Sequence, residues 1–282
     1  MKAIAVTYNN ESTIEEMLFG WYKAYDKCPL YIIDNASEDR TQKKISEWIT
    51  KHPNADLTVQ YAQYNRGFAA AVNSILETLP PHEDIILINP DVTIDSDAFL
   101  KVQTALMQFP RSIIGMRLRY HDGKIQPTVG SFPTVLGECL RALHLQKFFF
   151  MHSLVDVHSQ KFSYENNAEV DQVMGAFFVI PGSVREVVGN LDNGFFVWYE
   201  EVDYCKRAKD KGFSVRFIAQ DVGTHIRGHS FKQLPAWKRA CLFAHSSWYY
   251  ARKHLPWPLY FLVGICTFPA RMLSLFKKNE NL

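Results

Sequence analysis

The sequence has no long uninterrupted apolar run, no marked excess of either charge and few cysteines. Its longest uncharged stretch, residues 255–270, is interrupted by Pro256, Pro258 and Pro269, too short and too broken for a membrane-spanning helix. With 31 basic against 29 acidic residues the net charge is +2, which argues against a protein that coats nucleic acid. The five cysteines (Cys28, Cys139, Cys205, Cys241 and Cys266) are odd in number and include no Cys-x-x-Cys pair. Neither a disulfide framework nor a zinc site is indicated, and the expectation is buried thiols in a reducing compartment. Residues 1–8 run straight into a strand pattern with no charged leader and apolar region behind it, so no secretory signal is expected. Internal repeats and low-complexity segments are also missing.

What is present suits one large globular domain with a possible lobe: 282 residues, 47% of them hydrophobic. The stretch Asp84-Ile85-Ile86-Leu87-Ile88-Asn89-Pro90-Asp91-Val92 organises the rest. Its apolar run reads as a strand buried on both faces, ended by Pro90 with Asn89 and Asp91 held at the rim. In an open α/β sheet, ligands collect outside the carboxyl ends of parallel strands. A carboxylate there suits a divalent cation carrying a diphosphate, because hard oxygen ligands hold such cations.

In chain order, residues 2–8 predict a strand, and Ser12-Thr13-Ile14-Glu15 a capping box opening a helix with Ile14, Met17, Leu18 and Trp21 on its apolar face. Strands follow at 30–33, ending at Asp34, and at 57–61, with a helix around Ile45, Trp48 and Ile49 between them. The turn Asn65-Arg66-Gly67 then leads into a helix over 68–79. This β-α-β-α-β-α-β order implies a doubly wound parallel sheet. Tyr8-Asn9, Asp34-Asn35, Asn65-Arg66 and Asn89-Asp91 each fall just past a strand, so parallel winding puts all four on one rim. Four polar groups in succession argue for a nucleotide site: Asp34 accepting from a base N–H, Asn9 and Asn65 bonding ribose or base, Arg66 facing phosphate.

The second half is less regular. A helix is expected over 96–108 and a strand over 113–118, with a hairpin turn at His121-Asp122-Gly123. Residues 134–169 resist assignment; their Phe148-Phe149-Phe150-Met151 cluster reads either as core or as a loop meeting a greasy acceptor. A strand is expected over 170–180, with Gly175-Ala176 leaving room for a ligand or another backbone. Phe195 to Tyr199 leads into Glu200-Glu201-Val202-Asp203, which opens a helix ending near Gly212. Acids in a first turn also suit the helix dipole alone. Phe213 to Ile218 makes a further strand, and His225, Arg227, His229 and Ser230 follow on a loop. The last 50 residues are rich in Lys, Arg, Trp, Tyr and Phe and poor in acids, a composition suited to an anionic membrane surface. Trp257, Tyr260, Phe261 and Phe268 either serve such a contact or pack on the domain.

Together, Val6-Thr7-Tyr8-Asn9, Asp34-Asn35-Ala36-Ser37, Asn65-Arg66-Gly67-Phe68 with Asn73, Asn89-Pro90-Asp91, and Glu200-Glu201-Val202-Asp203 with Arg207 resemble the family 2 inverting glycosyltransferases of GT-A fold. More narrowly, Asn-Pro-Asp and Phe-Phe-x-x-x-Glu-[Asp/Glu]-x-Asp look like bacterial rhamnosyltransferases of cell-surface polysaccharide assembly. The likeness spans about residues 3–254 and implies a nucleotide-sugar donor, a divalent cation (Mn²⁺ or Mg²⁺) and displacement with inversion at the anomeric carbon. Carried over by position, Thr7, Asn9 and Asp34 hold the nucleoside, with Asn65, Arg66 and Asn89 completing the donor site by the ribose and diphosphate. Asp91 matches the last acid of the family's Asp-x-Asp motif, whose first acid is Asn89 here, and His225 matches its later histidine ligand. Glu201 stands where the family carries the aspartate base of a Glu-Asp pair. Glu200, Asp203, Arg207 and His229 are secondary candidates.

The resulting expectation is an α/β GT-A domain over residues 1–232, with a mostly parallel central sheet flanked by helices. Its nucleotide-binding half covers about 1–95 and its acceptor and catalytic half about 96–232. A C-terminal helical extension, 233–282, contacts the membrane. The chain is expected to transfer L-rhamnose from dTDP-rhamnose to a lipid-linked or polysaccharide acceptor at the cytoplasmic membrane face. A UDP-hexose or UDP-N-acetylhexosamine donor is the alternative within the class, and a catalytically silent nucleotide-sugar-binding partner the alternative outside it.

Overall fold

The computed structural model describes residues 1–24, 28–143, 145, 162–226 and 234–276. In chain order these form β1 (Lys2–Thr7), α1 (Ile14–Ala24), β2 (Leu30–Asp34), α2 (Thr41–Lys51), β3 (Leu57–Tyr61), α3 (Phe68–Leu76), β4 (Ile85–Ile88), β5 (Val92–Ile94), α4 (Ala98–Gln108) and β6 (Ser112–Arg119). There follow β7 (Val129–Gly130), α5 (Val135–Ala142), β8 (Ala168–Glu169), β9 (Gln172–Val173), β10 (Phe177–Ile180), α6 (Gly182–Val188), α7 (Glu200–Asp210), β11 (Ser214–His225), α8 (Ala236–His254) and α9 (Leu259–Phe276).

Nine strands share one sheet in the order β3-β2-β1-β4-β10-β6-β11-β5, with β8 beside β11. The first four are parallel, as the alternating pattern requires. β10 then enters antiparallel to both β4 and β6, and β5 is antiparallel to β11. The first four strands follow the doubly wound parallel pattern, and β10, β5 and β8 make the whole sheet a mixed one flanked by helices, within the expected α/β class. Alternate side chains of β4 divide between two cores: Ile86 and Ile88 join the layer under α1 and α4, whereas Ile85 and Leu87 join the layer under α3, α6 and α7. β1 and β10 divide in the same way. A strand buried on both faces reads as a continuous apolar run, which is why β4 is conspicuous in the sequence.

Three boundaries differ from expectation for local reasons. The run 170–180 is two strands, because the chain turns at Met174-Gly175-Ala176 and β9 leaves the main sheet to pair with β7. β11 continues through bulges to His225, so His225 lies in a strand and not on a loop. α3 stops at Leu76. The 148–151 cluster and Arg227, His229 and Ser230 lie outside the described residues.

One glycine joins the two halves. The Phe68 N–H donates to the Phe196 carbonyl at 2.7 Å, and a Cβ on Gly67, whose φ is +83°, would stand 2.4 Å from that oxygen. Only glycine lets the β3–α3 turn come this close to the segment preceding α7.

Candidate active site

The rim expected to hold the nucleotide is built from loops that tie one another down. Asp34, at the end of β2, is fully buried. Its Oδ2 accepts from Thr7 Oγ1 at 2.9 Å and Ser37 Oγ at 2.5 Å, and its Oδ1 from the Ser37 N–H at 2.9 Å and Gln42 Nε2 at 2.6 Å. Four donors match the roughly four acceptor positions of a carboxylate. Asn9 adopts a left-handed φ of 54°, its Oδ1 accepting from the Glu38 N–H and its own N–H donating to Ser37 Oγ. Buried Asn35 links the next two loops: Nδ2 donates to Asn65 Oδ1 at 2.8 Å and to the Gly67 carbonyl, and Oδ1 accepts from the Arg66 N–H. The Arg66 side chain is left exposed at the rim.

The β4 end is assembled from three parts of the chain. Asn89 N–H donates to the Ala176 carbonyl at 2.9 Å, which sets the turn before β10 beside the Asn-Pro-Asp segment. β5 pairs with β11 so that Val92 faces His225, and the Ile226 N–H donates to the Asp91 carbonyl. This register brings His225 Nε2 to 3.1 Å from Asp91 Oδ1, both side chains being buried. Nδ1 of His225 is 2.8 Å from Gln126 Oε1. With that carbonyl as the acceptor, Nδ1 would carry the proton and Nε2 would turn its lone pair toward the carboxylate. Nε2 makes no hydrogen bond. Two electron-pair donors facing one another in a buried site suit a shared cation, so the pair fits a divalent metal. Among the described residues no group of three or more His, Cys, Asp or Glu converges on one point, so a cation held by this pair would need further ligands.

Glu201 reaches the same end of the sheet. A Cβ on Gly175 would lie 3.6 Å from the Glu201 Cβ and Cγ, so the turn between β9 and β10 links Glu201 to Asn89 through adjacent residues. Burial pushes the half-buried Glu201 carboxyl above the ordinary carboxylate range, and the N–H groups of Glu201, Val202 and Gly175 lower it only part of the way. Its Oε2 has no hydrogen-bond partner. Glu200 is buried, and burial followed by the charge of Glu201 raises it well above its usual value. Two adjacent carboxyls in such a place ionise reluctantly, which makes the one that does ionise a stronger base.

What presents Glu201 is an uncommon turn. Trp198 and Tyr199 both have left-handed backbones, at φ 61° and 70°, a conformation that costs non-glycine residues roughly 1–3 kcal/mol each. α8 braces it. Ser246 Oγ donates to the Val197 carbonyl at 2.7 Å, and the Tyr199 ring packs 5.5 Å from both Phe243 and Tyr250. Asp203, fully buried on α7, receives Arg207 Nε at 2.7 Å and lies 2.7 Å from both Lys253 and His254 of α8. Burial would raise Asp203, but hydrogen bonds from His254 and Lys253 and the charge of Arg207 outweigh it and hold the carboxyl below its usual range. Arg207 also donates to the carbonyls of Val188 and Asn190. Asp203 and Arg207 therefore fasten α7 to its surroundings.

The geometry can be set beside known proteins. The profile of "Glycosyl transferase family 2" matches residues 3–155, more than half the chain. The chain belongs to this glycosyltransferase family. It is 23% identical over 269 residues to the N-acetylglucosaminyl-diphospho-decaprenol L-rhamnosyltransferase of Mycobacterium tuberculosis, covering 91% of this chain and 86% of the relative. It is likewise 23% identical over 218 residues to the low-salt glycan biosynthesis hexosyltransferase of Haloferax volcanii, covering 76% of this chain and 63% of that protein. Among solved structures, a mannosyltransferase of Pyrobaculum calidifontis in complex with GDP-Man and Mn²⁺ aligns over all of this chain and 75% of its own, with TM-score 0.57 and 16% identity. S. aureus TarS aligns over 86% of this chain but 38% of its own, with TM-score 0.54 and 14% identity. The GT-A fold expected from the motifs is thereby established.

Sequence reasoning missed Gln126, Gln42, Glu138 and Ser247 in this family member. No motif marks them, and each becomes visible only once β6, α2, α5 and α8 are placed. Asp203→Asn should lower stability at neutral pH by about 3–5 kcal/mol, the usual result of breaking a buried ionic cluster. A carboxyl held low in the folded state contributes its stability above its unfolded value, near 3.9, and loses it as pH falls further. The gap between wild type and variant in urea unfolding should therefore shrink between pH 7 and pH 3, and an equal gap at both would contradict the assignment.

Proposed function

We propose that the chain transfers a sugar with inversion, with Glu201 as general base, from a nucleotide-sugar donor to a lipid-linked saccharide in cell-surface glycan biosynthesis. The observation that carries this reading is the basic, half-buried Glu201 carboxylate with a free Oε2, joined through Gly175-Ala176 to the end of β4 that carries Asp91 and His225. L-Rhamnose from dTDP-rhamnose is the preferred donor, supported by the mycobacterial relative and its lipid-linked substrate. A UDP-hexose or UDP-N-acetylhexosamine is the second reading, supported by the haloarchaeal hexosyltransferase and by TarS bound to UDP-GlcNAc.

The nucleoside would sit on the rim made by Thr7, Asn9 and Asp34, with Asn65, Arg66 and Asn89 along the ribose and diphosphate. An acceptor hydroxyl placed at Glu201 Oε2 gives up its proton to the carboxylate while its oxygen forms a bond to the anomeric carbon. The bond to the diphosphate breaks on the opposite face, and its electron pair leaves with the nucleoside diphosphate. Asp91 and His225 would hold a divalent cation, which supplies charge neutralisation on the departing diphosphate. GT-A neighbours solved with Mn²⁺ support that choice.

The outer face of α9 supports membrane contact. Phe261, Leu262, Ile265 and Phe268 are exposed at helical spacing, on a helix with no charged residue between Leu259 and Ala270. Exposed Arg252 precedes this stretch and partly buried Arg271 lies past it. No described helix is long and apolar enough to cross a membrane, and an apolar stripe with basic ends suits the surface of an anionic leaflet.

Three outcomes are expected. Glu201→Gln should lower kcat by at least about 10²-fold with donor affinity retained. In wild type the acid limb of kcat should lie above the usual glutamate value of about 4.3, since a raised carboxyl keeps its proton to higher pH and the protonated form cannot act as base. Retained turnover in the variant, or an acid limb in the ordinary range, would move the base elsewhere. Thermal shift should show dTDP-rhamnose stabilising wild type more with Mn²⁺ than without, and Asp91→Ala should abolish the difference; an unchanged Mn²⁺ effect would remove Asp91 from the metal site. Finally, Phe261→Asp with Ile265→Asp should release the protein from phosphatidylglycerol vesicles in sedimentation, and undiminished binding would refute the α9 contact.

A further inference from the structure

The left-handed turn before α7 has no local support. α7 has no side-chain N-cap, and its cap position is occupied by Tyr199. The missing support comes from Glu138 on α5, whose carboxylate is 1% exposed. Glu138 Oε2 accepts the Tyr199 hydroxyl in a short hydrogen bond and Ser247 Oγ at 2.5 Å. Arg141 completes the group, with Nη1 3.5 Å from Glu138 Oε1 and 3.4 Å from the Tyr199 hydroxyl. An ionised acceptor gives stronger, shorter and more directional bonds than a neutral one, and burying a carboxylate is costly unless it is paired. Packing alone would be served by apolar residues at these positions. A carboxylate instead fixes one rotation of Tyr199, and with it the direction in which the next two residues leave the turn.

We propose that Glu138 and Tyr199 are positioning residues for the base: the Glu138 carboxylate holds the Tyr199 hydroxyl, and the turn so fixed delivers Glu201 to the Gly175 backbone. This rests on Glu201 being the base, and neither Glu138 nor Tyr199 needs to touch substrate. Because α5 and α8 both hold the group, the orientation of the base depends on a mid-chain helix and a C-terminal one.

The test is a carboxyl titration of Glu201 by NMR on glutamate-¹³C protein, its resonance assigned by its loss in Glu201→Gln. Glu200 and Cys205 are the titratable neighbours acting across α7, and the variants leave both in place. In wild type Glu201 should titrate above the ordinary range. In Tyr199→Phe and Glu138→Ala it should fall back toward that range, and kcat with dTDP-rhamnose and N-acetylglucosaminyl-diphospho-decaprenol should drop about 10²-fold, the effect of misplacing a reacting group by about 1 Å, at unchanged donor KM. Glu138→Gln, which keeps an acceptor oxygen, should retain most of both properties. A wild-type Glu201 titration in Tyr199→Phe overturns the positioning role, even if Glu138→Ala fails to fold. Full turnover by Glu201→Gln overturns the base assignment instead.

Discussion

The clasp between α7 and α8 is the constraint on which the active end of the molecule depends. Asp203 is buried without solvent and gathers Arg207 from its own helix and Lys253 and His254 from α8. A buried charge left without partners costs several kcal/mol, so these groups succeed or fail together. Four residues earlier the same α8 supports Tyr199 by ring contacts and Val197 by a hydrogen bond. The segment from Val197 to Asp203 thus has its backbone, its aromatic ring and its charge each held in part by α8, while Glu138 of α5 takes the Tyr199 hydroxyl. That arrangement maintains two successive left-handed residues in a chain that would otherwise relax to a more favourable turn. A helix whose composition suggests membrane contact or packing on the domain is thus a wall of the segment that carries Glu201.

The opposite rim is stiffened by a different device. There the loops after β1, β2 and β3 exchange side-chain amide and hydroxyl bonds with one another's backbones, through Asn9, Asn35, Ser37 and Asn65. Such ties fix loop positions before any ligand arrives, which reduces the ordering cost of binding. Asp34 illustrates the consequence. Its acceptor positions are filled by Thr7, Ser37 and Gln42, so a base N–H can be accepted only by replacing one of them. The Gln42 amide, on a half-buried side chain of α2, can rotate away at lower cost than the Ser37 backbone N–H.

The elements most legible in the sequence were those whose burial is two-sided and regular: β4 announces itself by an unbroken apolar run whose alternate members serve two cores. β3, at the sheet edge and only partly buried, still occupies 57–61 as its pattern indicates. The family motifs also carried the fold. Short or context-made elements were not legible: β5 has three residues and exists because β11 extends far enough to pair with it. The break at Met174–Ala176 was hidden because apolar residues flank it on both sides. Residues that act on other residues were the least visible. Glu138 lies in a stretch without periodic signal, and its importance comes from Tyr199 and Ser247, which are distant in sequence.

The end of β4 makes the same point about charge. Where two acids would place two negative charges beside an incoming diphosphate, the proposed metal site offers Asn89 and Asp91, with His225 beside Asp91. A single carboxylate attracts a divalent cation less strongly than two. It also repels the diphosphate less, by Coulomb's law at short range. The balance favours a cation that binds together with the nucleotide over one that is resident beforehand. On the proposed reading, donor and metal then assemble as one unit at the end of β4, while the base waits on the far side of Gly175 with its basicity raised by burial.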